Sequence, residues 1–364
     1  MSAMLAIARL ELARLLRART SFTLLLLVPA LQVILFGYAI QPQATQISVA
    51  IAAPTPQNAE VVAQRLRTEA GITVISSELP PGGAEAAVRA GKAMIGIEVP
   101  ETASFSNPFA PRVPLRIIID SASGTAADAA ASRIATRYWQ TVAARADEGP
   151  PAPDLRIQRL FNPDARADWT FLPALIGVTV MISMILLGCL SLAREREAGT
   201  WETLLSLPIG RGQLLLGKAL PYAVLGTVQG ISVLVAGMLL FDMPSHGPVW
   251  ALVALLPVFA TAHFFLGYAL SARARTQIEA LQSAIAFYLP AMLLSGFLYP
   301  FETLPRWAQV IGSAFPLTHF IRASRDVLLR GRGLDVLAGH ALPILGFLIV
   351  LGVIGIQLQS RKLD

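Results

Sequence analysis

One cysteine and a shortage of charge are the first constraints this chain sets. Cys189 is the single cysteine in 364 residues, so no disulfide can close within one chain and no cysteine-based zinc site can be built. It lies in an apolar stretch, where a lone cysteine behaves as a small packing residue. Charged residues make up 14% of the chain, against roughly a quarter in soluble globular domains. Hydrophobic residues make up 54%, and the mean hydropathy is +0.59. The shortage of charge is uneven: residues 41–170 have ordinary polarity, while the rest reads as apolar blocks with basic flanks. That mixture implies membrane spans plus one water-facing domain. The net charge of +6 does not point to nucleic acid, because the basic residues gather at the ends of apolar runs, where membrane topology places them.

Acidic residues are missing from the interiors of the apolar runs, with Glu279 only at an entrance. Ion-coupled carriers need such groups as relays, so secondary transport loses most of its support. His263 is the titratable group well inside a run, and with Gln229 and Gln32 it reads as a packed polar contact. The other histidines, His246, His319 and His340, are scattered, with no His-Glu-x-x-His or Gly-x-Ser-x-Gly pattern. No catalytic set is present, and the chain is expected not to be an enzyme.

A spanning helix needs about 20 apolar residues to cross about 30 Å of hydrocarbon. Six stretches qualify, at 22–40, 171–193, 218–240, 250–270, 278–299 and 341–359. Arginine and lysine concentrate before the first stretch, between the second and third, between the fourth and fifth, and after the sixth. Both termini are therefore expected in the cytoplasm. The loop 300–340 breaks the pattern, since it is expected outside yet holds Arg306, Arg322, Arg325, Arg330 and Arg332. Trp169, Trp250 and Trp307 fall at the expected outer boundaries and Trp201 beyond an inner one, as headgroup-level residues should. The first stretch is too long, and its basic flank too extended, for a cleaved signal peptide; it reads as an uncleaved anchor.

Residues 41–170 alternate strand and helix signals. Ile47–Ala52, Ile72–Ile75, Ala93–Val99 and Leu115–Ile119 read as strands, and Asn58–Ala70, Ala84–Ala90 and Ser123–Ala146 as helices. Gly149–Pro153 reads as a linker. The expected architecture is an α-helical polytopic membrane protein with six transmembrane helices and an inserted α/β extracytoplasmic domain. Residues 1–40 form an amphipathic helix and the first span, 41–170 the inserted domain, and 171–364 the remaining spans.

Two features imitate nucleotide binding. Gly212 to Lys218 satisfies the Gly-x4-Gly-Lys half of a P-loop, but Ala219 stands where a magnesium-holding Ser or Thr is required. Three leucines fill the would-be phosphate cradle, so the stretch reads as a helix entering the membrane with Lys218 at the headgroups. Leu115–Asp120 resembles an apolar strand ending in a magnesium-binding acid, yet it is expected on the other side of the membrane from Lys218. Any ATP-driven function therefore requires a separate ATPase chain.

The informative stretch is Arg194-Glu195-Arg196-Glu197-Ala198-Gly199-Thr200-Trp201-Glu202-Thr203-Leu204-Leu205-Ser206-Leu207-Pro208. Gly199-Thr200 can end one helix and cap another, Glu202 suits the first turn of the new one, and Pro208 ends it. Leu204, Leu205 and Leu207 give it an apolar side that suits a partner's groove or the membrane interface equally well.

The run from Glu195 through Pro208 to Lys218 closely resembles the ABC-2 type permeases of ATP-binding-cassette exporters. Phe161-Asn162-Pro163-Asp164, Ser295-Gly296-Phe297 with Pro300, and Leu304-Pro305-Arg306-Trp307 through Pro316 resemble their subgroup with a large external domain. Pro173-Ala174 departs from the Pro-Gly common there. The resemblance implies a bacterial inner (plasma) membrane location and a dimer of permeases, as a homodimer or with a paralogue, bound to cytoplasmic ABC ATPase subunits. ATP and magnesium would bind the ATPase, with no cofactor on this chain. Membrane lipid and a periplasmic adaptor protein are further expected contacts, and nucleic acid is not. Glu195, Glu197, Gly199, Thr200, Glu202, Leu204, Leu205 and Pro208 would couple to the ATPase, with the coupling helix near 199–208. Pro300, Pro305, Trp307 and Pro316 would belong to an outer re-entrant segment near 300–332. The function implied is export of an amphipathic or hydrophobic substrate. The alternative is a mechanotransmission or sensor protein driven by an ATPase without flux.

Overall fold

The computed structural model describes residues 3–17, 47–67, 71–99, 115–122, 125–143, 155–206 and 208–359. The expected first span, 22–40, lies outside the described residues. In chain order the elements are α1 (Ala3–Arg17), β1 (Ile47–Ala52), α2 (Pro56–Arg67), β2 (Ile72–Leu79), α3 (Gly83–Arg89), β3 (Ile95–Glu98), β4 (Leu115–Asp120), α4 (Thr125–Ala143) and β5 (Leu155–Leu160). There follow α5 (Ala167–Glu197), α6 (Trp201–Ser206), α7 (Arg211–Leu240), α8 (Val249–Leu270), α9 (Gln277–Leu294), α10 (Arg306–Gly312), α11 (Pro316–Leu328) and α12 (Leu334–Leu358).

The chain divides into two compact units. One comprises Met1–Ala39, Phe171–Phe297 and Val310–Asp364; the other comprises Ile40–Thr170 and Leu298–Gln309.

The second unit is a five-stranded sheet in the order β2-β1-β3-β4-β5. Neighbours are parallel except β3 and β4, which pair antiparallel with Ile95 opposite Ile119 and Glu98 opposite Arg116. The strands alternate their side chains between faces, and both faces are covered. Ile47, Val49, Ile51, Ile95, Ile97, Ile117 and Ile119 pack with Ala59, Ala63 and Leu66 of α2 and with Ala127, Ala130 and Ile134 of α4. Ala50, Ile118 and Leu160 pack on the other face with Val88 of α3. Alanines on the helices let them lie close to an isoleucine-rich sheet. Glu98, the last residue of β3, accepts hydrogen bonds from the backbone N–H of Gly82, Ala84 and Glu85 at 3.0, 3.1 and 3.1 Å, capping the start of α3.

The would-be magnesium ligand Asp120 is 1% exposed, and its Oδ1 accepts from Ala122 N at 3.1 Å, so it shapes a turn. β5 follows the stretch read as a linker. Its sequence, Leu-Arg-Ile-Gln-Arg-Leu, pairs in register with β4 at the sheet edge. Leu298–Gln309 clusters with this sheet, and a short 3-10 helix at Phe301–Thr303 packs against β1.

The first unit is helical. Among the described residues five helices are long and apolar enough to cross a membrane: Ala167–Glu197, Arg211–Leu240, Val249–Arg273, Gln277–Leu294 and Leu334–Leu358. The fifth expected span, 278–299, overreaches at its end: α9 stops at Leu294, and Gly296, with φ of 85°, turns the chain. α5 and α8 approach backbone to backbone at two glycines. A Cβ on Gly188 would meet the Phe264 carbonyl oxygen at 2.3 Å, and one on Gly267 would meet that of Ile185 at 2.2 Å. Cys189 Sγ donates to Gly267 O at 3.1 Å in the same crossing. Small residues at a crossing are how membrane helices gain contact without a hydrophobic drive. His263 packs on Phe259 and bonds its carbonyl at 2.9 Å, a satisfied core histidine.

Candidate functional site

The candidate site is the C-terminal end of α5, where the run from Arg194 onward sits. α5 ends by a Schellman arrangement. Gly199 has φ of 69°, Thr200 N donates to Glu195 O at 2.9 Å, and Gly199 N donates to Arg196 O at 3.1 Å. The left-handed conformation costs other residues roughly 1–2 kcal/mol, which is why glycine stands there. Thr200 precedes α6 as expected, but its hydroxyl donates back to Glu195 O at 3.3 Å. Its side chain therefore closes α5 and does not cap α6. Glu202 lies in the first turn of α6.

Three consecutive residues at this end reach four other helices between them, because each step along a helix turns the side chain by about 100°. Glu195 is 3% exposed; its Oε1 accepts from Lys218 Nζ of α7 at 2.8 Å and from Arg14 of α1 at 2.9 Å. Arg196 Nη1 donates to the carbonyls of Ser271, Ala272 and Ala274, which follow α8, and its guanidinium lies 5.9 Å from the Trp201 ring centroid. A cation on the last carbonyls of a helix is favoured by the helix dipole. Glu197 Oε2 accepts from Gln277 Nε2 at 2.7 Å at the start of α9. The end of α5 is thus a hub holding α1, α7, α8 and α9.

The buried side of the hub is a four-charge cluster. Lys218 is 1% exposed and donates to Glu11 Oε1 and Glu195 Oε1, each at 2.8 Å. Tyr222 OH donates to Glu11 Oε2 at 3.3 Å. Placing Lys218 at the headgroups is corrected by this geometry: two carboxylates draw it inward, and a buried ammonium is stable only when so paired. The neighbouring Gly217 has a packing role, since a Cβ there would meet Met4 O at 2.9 Å and Ile7 Cβ at 3.0 Å. The Gly-Lys pair that imitates a P-loop is the seat of α1 on α7.

The expected coupling residues therefore separate by exposure. Glu195 faces inward and Glu197 holds α9, while Glu202, Thr203, Ser206 and Pro208 are exposed. Leu204 is half-buried, and Leu205 lies in the same helix. Glu11, Arg14, Lys218 and Tyr222 were not legible as site residues; Glu11 is 207 positions from its lysine.

The other expected segment is divided between the units. Pro300 precedes the 3-10 helix and its carbonyl accepts from Thr303 N at 2.9 Å; the Pro305 carbonyl accepts from Ala308 N at 2.9 Å at the start of α10. Trp307 is 63% exposed. Pro316 is the buried first residue of α11 in the helical unit, where proline's fixed φ suits a helix start.

Two of the five arginines that broke the charge pattern, Arg330 and Arg332, share a partner. Asp326, 4% exposed, accepts from Arg330 at 2.8 Å, Arg332 at 3.2 Å and His340 at 3.2 Å. Burial alone would push its carboxyl up, but the His340 hydrogen bond and the two guanidinium groups outweigh this and hold its pKa at about 2. A depressed carboxyl stabilises above its ordinary value of 3.8, and the contribution is lost as pH falls from there to about 2. Asp326→Asn is expected to lower stability by about 3 kcal/mol at neutral pH, since it strands the cations. In thermal unfolding of the detergent-solubilised protein, the gap between variant and wild type should begin to narrow below about pH 4 and close near pH 2.

A model of the family described as ABC-2 family transporter protein matches residues 19–356. The chain is 27% identical over 361 residues to a protein of Escherichia coli (strain K12) named "Probable multidrug ABC transporter permease YbhR", covering 97% of each. It is 26% identical over 370 residues to "Probable multidrug ABC transporter permease YbhS" of the same strain, covering 97% of this chain and 96% of the relative. Over 199 residues it is 31% identical to "Inner membrane transport permease YhhJ", about half of each chain. With the match running through the α5 hub and all five apolar helices, this chain belongs to the ABC-2 family of transporter permeases.

Proposed function

We propose that the chain is the membrane-spanning subunit of an exporter that moves an amphipathic or hydrophobic substrate outward, driven by a separate cytoplasmic ABC ATPase. The observation that carries this reading is the division of labour at the α5 end. A hub with a buried charge cluster ties four helices to the end of α5, and a six-residue helix, α6, with Glu202, Thr203 and Ser206 exposed, follows it. A push on α6 would reach the helix bundle through rigid contacts. Multidrug naming of the relatives supports an apolar cargo, as does a bundle whose helices carry few charges. In this reading α1 and α6 face the cytoplasm, and residues 41–170 form an extracytoplasmic domain available to an adaptor. Apolar rows left exposed on α7 (Val224, Val228, Leu239), α9 (Ile278, Ile285) and α12 (Leu342, Ile349) would meet lipid and a second permease copy.

The test is flux of a hydrophobic dye from vesicles containing the chain with and without its ATPase. Flux is expected only with the ATPase and ATP, and the isolated chain should hydrolyse none. Glu202→Arg, a charge reversal at the exposed helix, is expected to reduce flux about tenfold while insertion is unchanged, the effect of roughly 1.4 kcal/mol at a docking rim. ATP hydrolysis by the isolated chain, or ATP-independent flux, would sink the reading. ATP-driven movement without flux would favour a mechanotransmission protein.

A further inference from the structure

We propose that Lys218 is a positioning residue for coupling: by holding Glu11 and Glu195 at once, it makes α1, the end of α5 and the start of α7 respond as one body. The proposal rests on the permease reading above and assigns a role to a residue buried between three helices.

Three observations carry it. First, the bonds converge: the Lys218 ammonium is 2.8 Å from one carboxylate on α1 and 2.8 Å from another on α5. Those carboxylates are 5% and 3% exposed, so neither bond competes with bulk water. A charge in such a place stays only while its partners stay, which ties the three helices by more than packing. Second, the cluster is balanced. Two cations, Lys218 and Arg14, face two carboxylates, and Tyr222 takes the remaining oxygen of Glu11. Arg14 is the half-exposed member, with 47% of its side chain accessible, so Lys218 is the charge that water cannot replace. Third, the seat is shaped for α1, since the absence of a side chain at Gly217 admits the backbone of Met4.

These bonds have a mechanical consequence. The backbone of α5 that carries Glu195 continues in two turns' length into α6 through the Gly199 turn. Force applied to α6 reaches Glu195 through Thr200, whose N–H and hydroxyl both donate to the Glu195 carbonyl, and Lys218 passes it to α7 and α1 together. Without Lys218, α6 could still meet the ATPase, yet α1 and α7 would no longer follow α5. Glu195 Oε2 has no hydrogen-bond partner among the described residues, so the carboxylate can rotate to a second donor while the cluster shifts.

The experiment compares wild type, Lys218→Met, Glu11→Lys, Lys218→Glu and the exchange Glu11→Lys/Lys218→Glu, each reconstituted with the ATPase. The readout is dye molecules exported per ATP hydrolysed. A purely structural role would lower export and hydrolysis together with the amount of folded complex, leaving that ratio unmoved. Lys218→Met is expected to lower the ratio about tenfold, equivalent to about 1.4 kcal/mol of coupling. The exchange, which keeps the cluster's charge, is expected to recover a higher ratio than either single reversal. An unchanged ratio in Lys218→Met, or an exchange no better than the single reversals, overturns the proposal. If Lys218→Met does not accumulate in the membrane, the exchange against the single reversals decides by the same ratio. A wild-type chain that recruits no ATPase overturns the permease reading itself, and this proposal with it.

Discussion

Gly267→Val is expected to abolish accumulation of folded protein in the membrane, and Gly188→Val to do the same. At each position the added Cβ meets backbone and not the end of a flexible side chain. From Gly267 it would lie 2.2 Å from Ile185 O and 3.0 Å from Cys189 N; from Gly188, 2.3 Å from Phe264 O and 3.0 Å from Tyr268 N. Ordinary carbon–oxygen contacts are about 3.3–3.6 Å, so α5 and α8 would have to part by on the order of 1 Å along their whole crossing. That separation breaks the Cys189–Gly267 bond and opens voids across a close-packed interface. The cost belongs with the exceptional losses above about 4–5 kcal/mol. Gly346→Val is the control, because a Cβ there meets nothing within 4 Å. Membrane fractions and size-exclusion profiles of the three variants check this; normal accumulation of Gly267→Val would mean that the helices do not cross at these glycines.

Glu195→Gln is expected to destabilise the protein by about 3–5 kcal/mol, the usual cost of removing one member of a buried ion pair. Its Oε1 holds both Lys218 and Arg14, and at 3% exposure no water replaces it. Glutamine keeps the shape and loses the charge, leaving two cations against Glu11 alone. Glu197→Gln, two residues on, is expected to cost less than about 1 kcal/mol, because its bond to Gln277 is exposed and glutamine can still accept it. Thermal unfolding in detergent of the two variants side by side measures the contrast. Equal midpoints would show that Lys218 does not depend on Glu195.

The contrast between those neighbours shows how far the site could be read from the sequence. That Gly199 ends a helix and that Glu202 lies in the first turn of the next followed from local chemistry alone. Glu195 and Glu197 looked alike there, since both are acidic residues near the end of an apolar run. Only the packing of α1 and α7 on one side of α5, and of α9 on another, made one a buried counter-ion and the other a surface contact.

Ala219 and the three leucines exclude a P-loop on sequence alone, but the sequence places Lys218 at the headgroups, because its partner Glu11 belongs to a distant helix. Asp326 is hidden in the same way, although Arg330 and Arg332, which it gathers, break the charge pattern in the sequence.

What the sequence settled by itself was set by the solvent. Runs of about 20 apolar residues must be helices in hydrocarbon, and alternating apolar residues with turn signals must be strands in water. Five such helices and four of the five strands were visible on those grounds. β5 was not, because an edge strand carrying Arg156 and Arg159 lacks the apolar run of a central one. Tertiary structure alone decided which charges are buried and what they hold. Pairing energy in a dry environment depends on distances between residues far apart in the chain, and no local pattern encodes those.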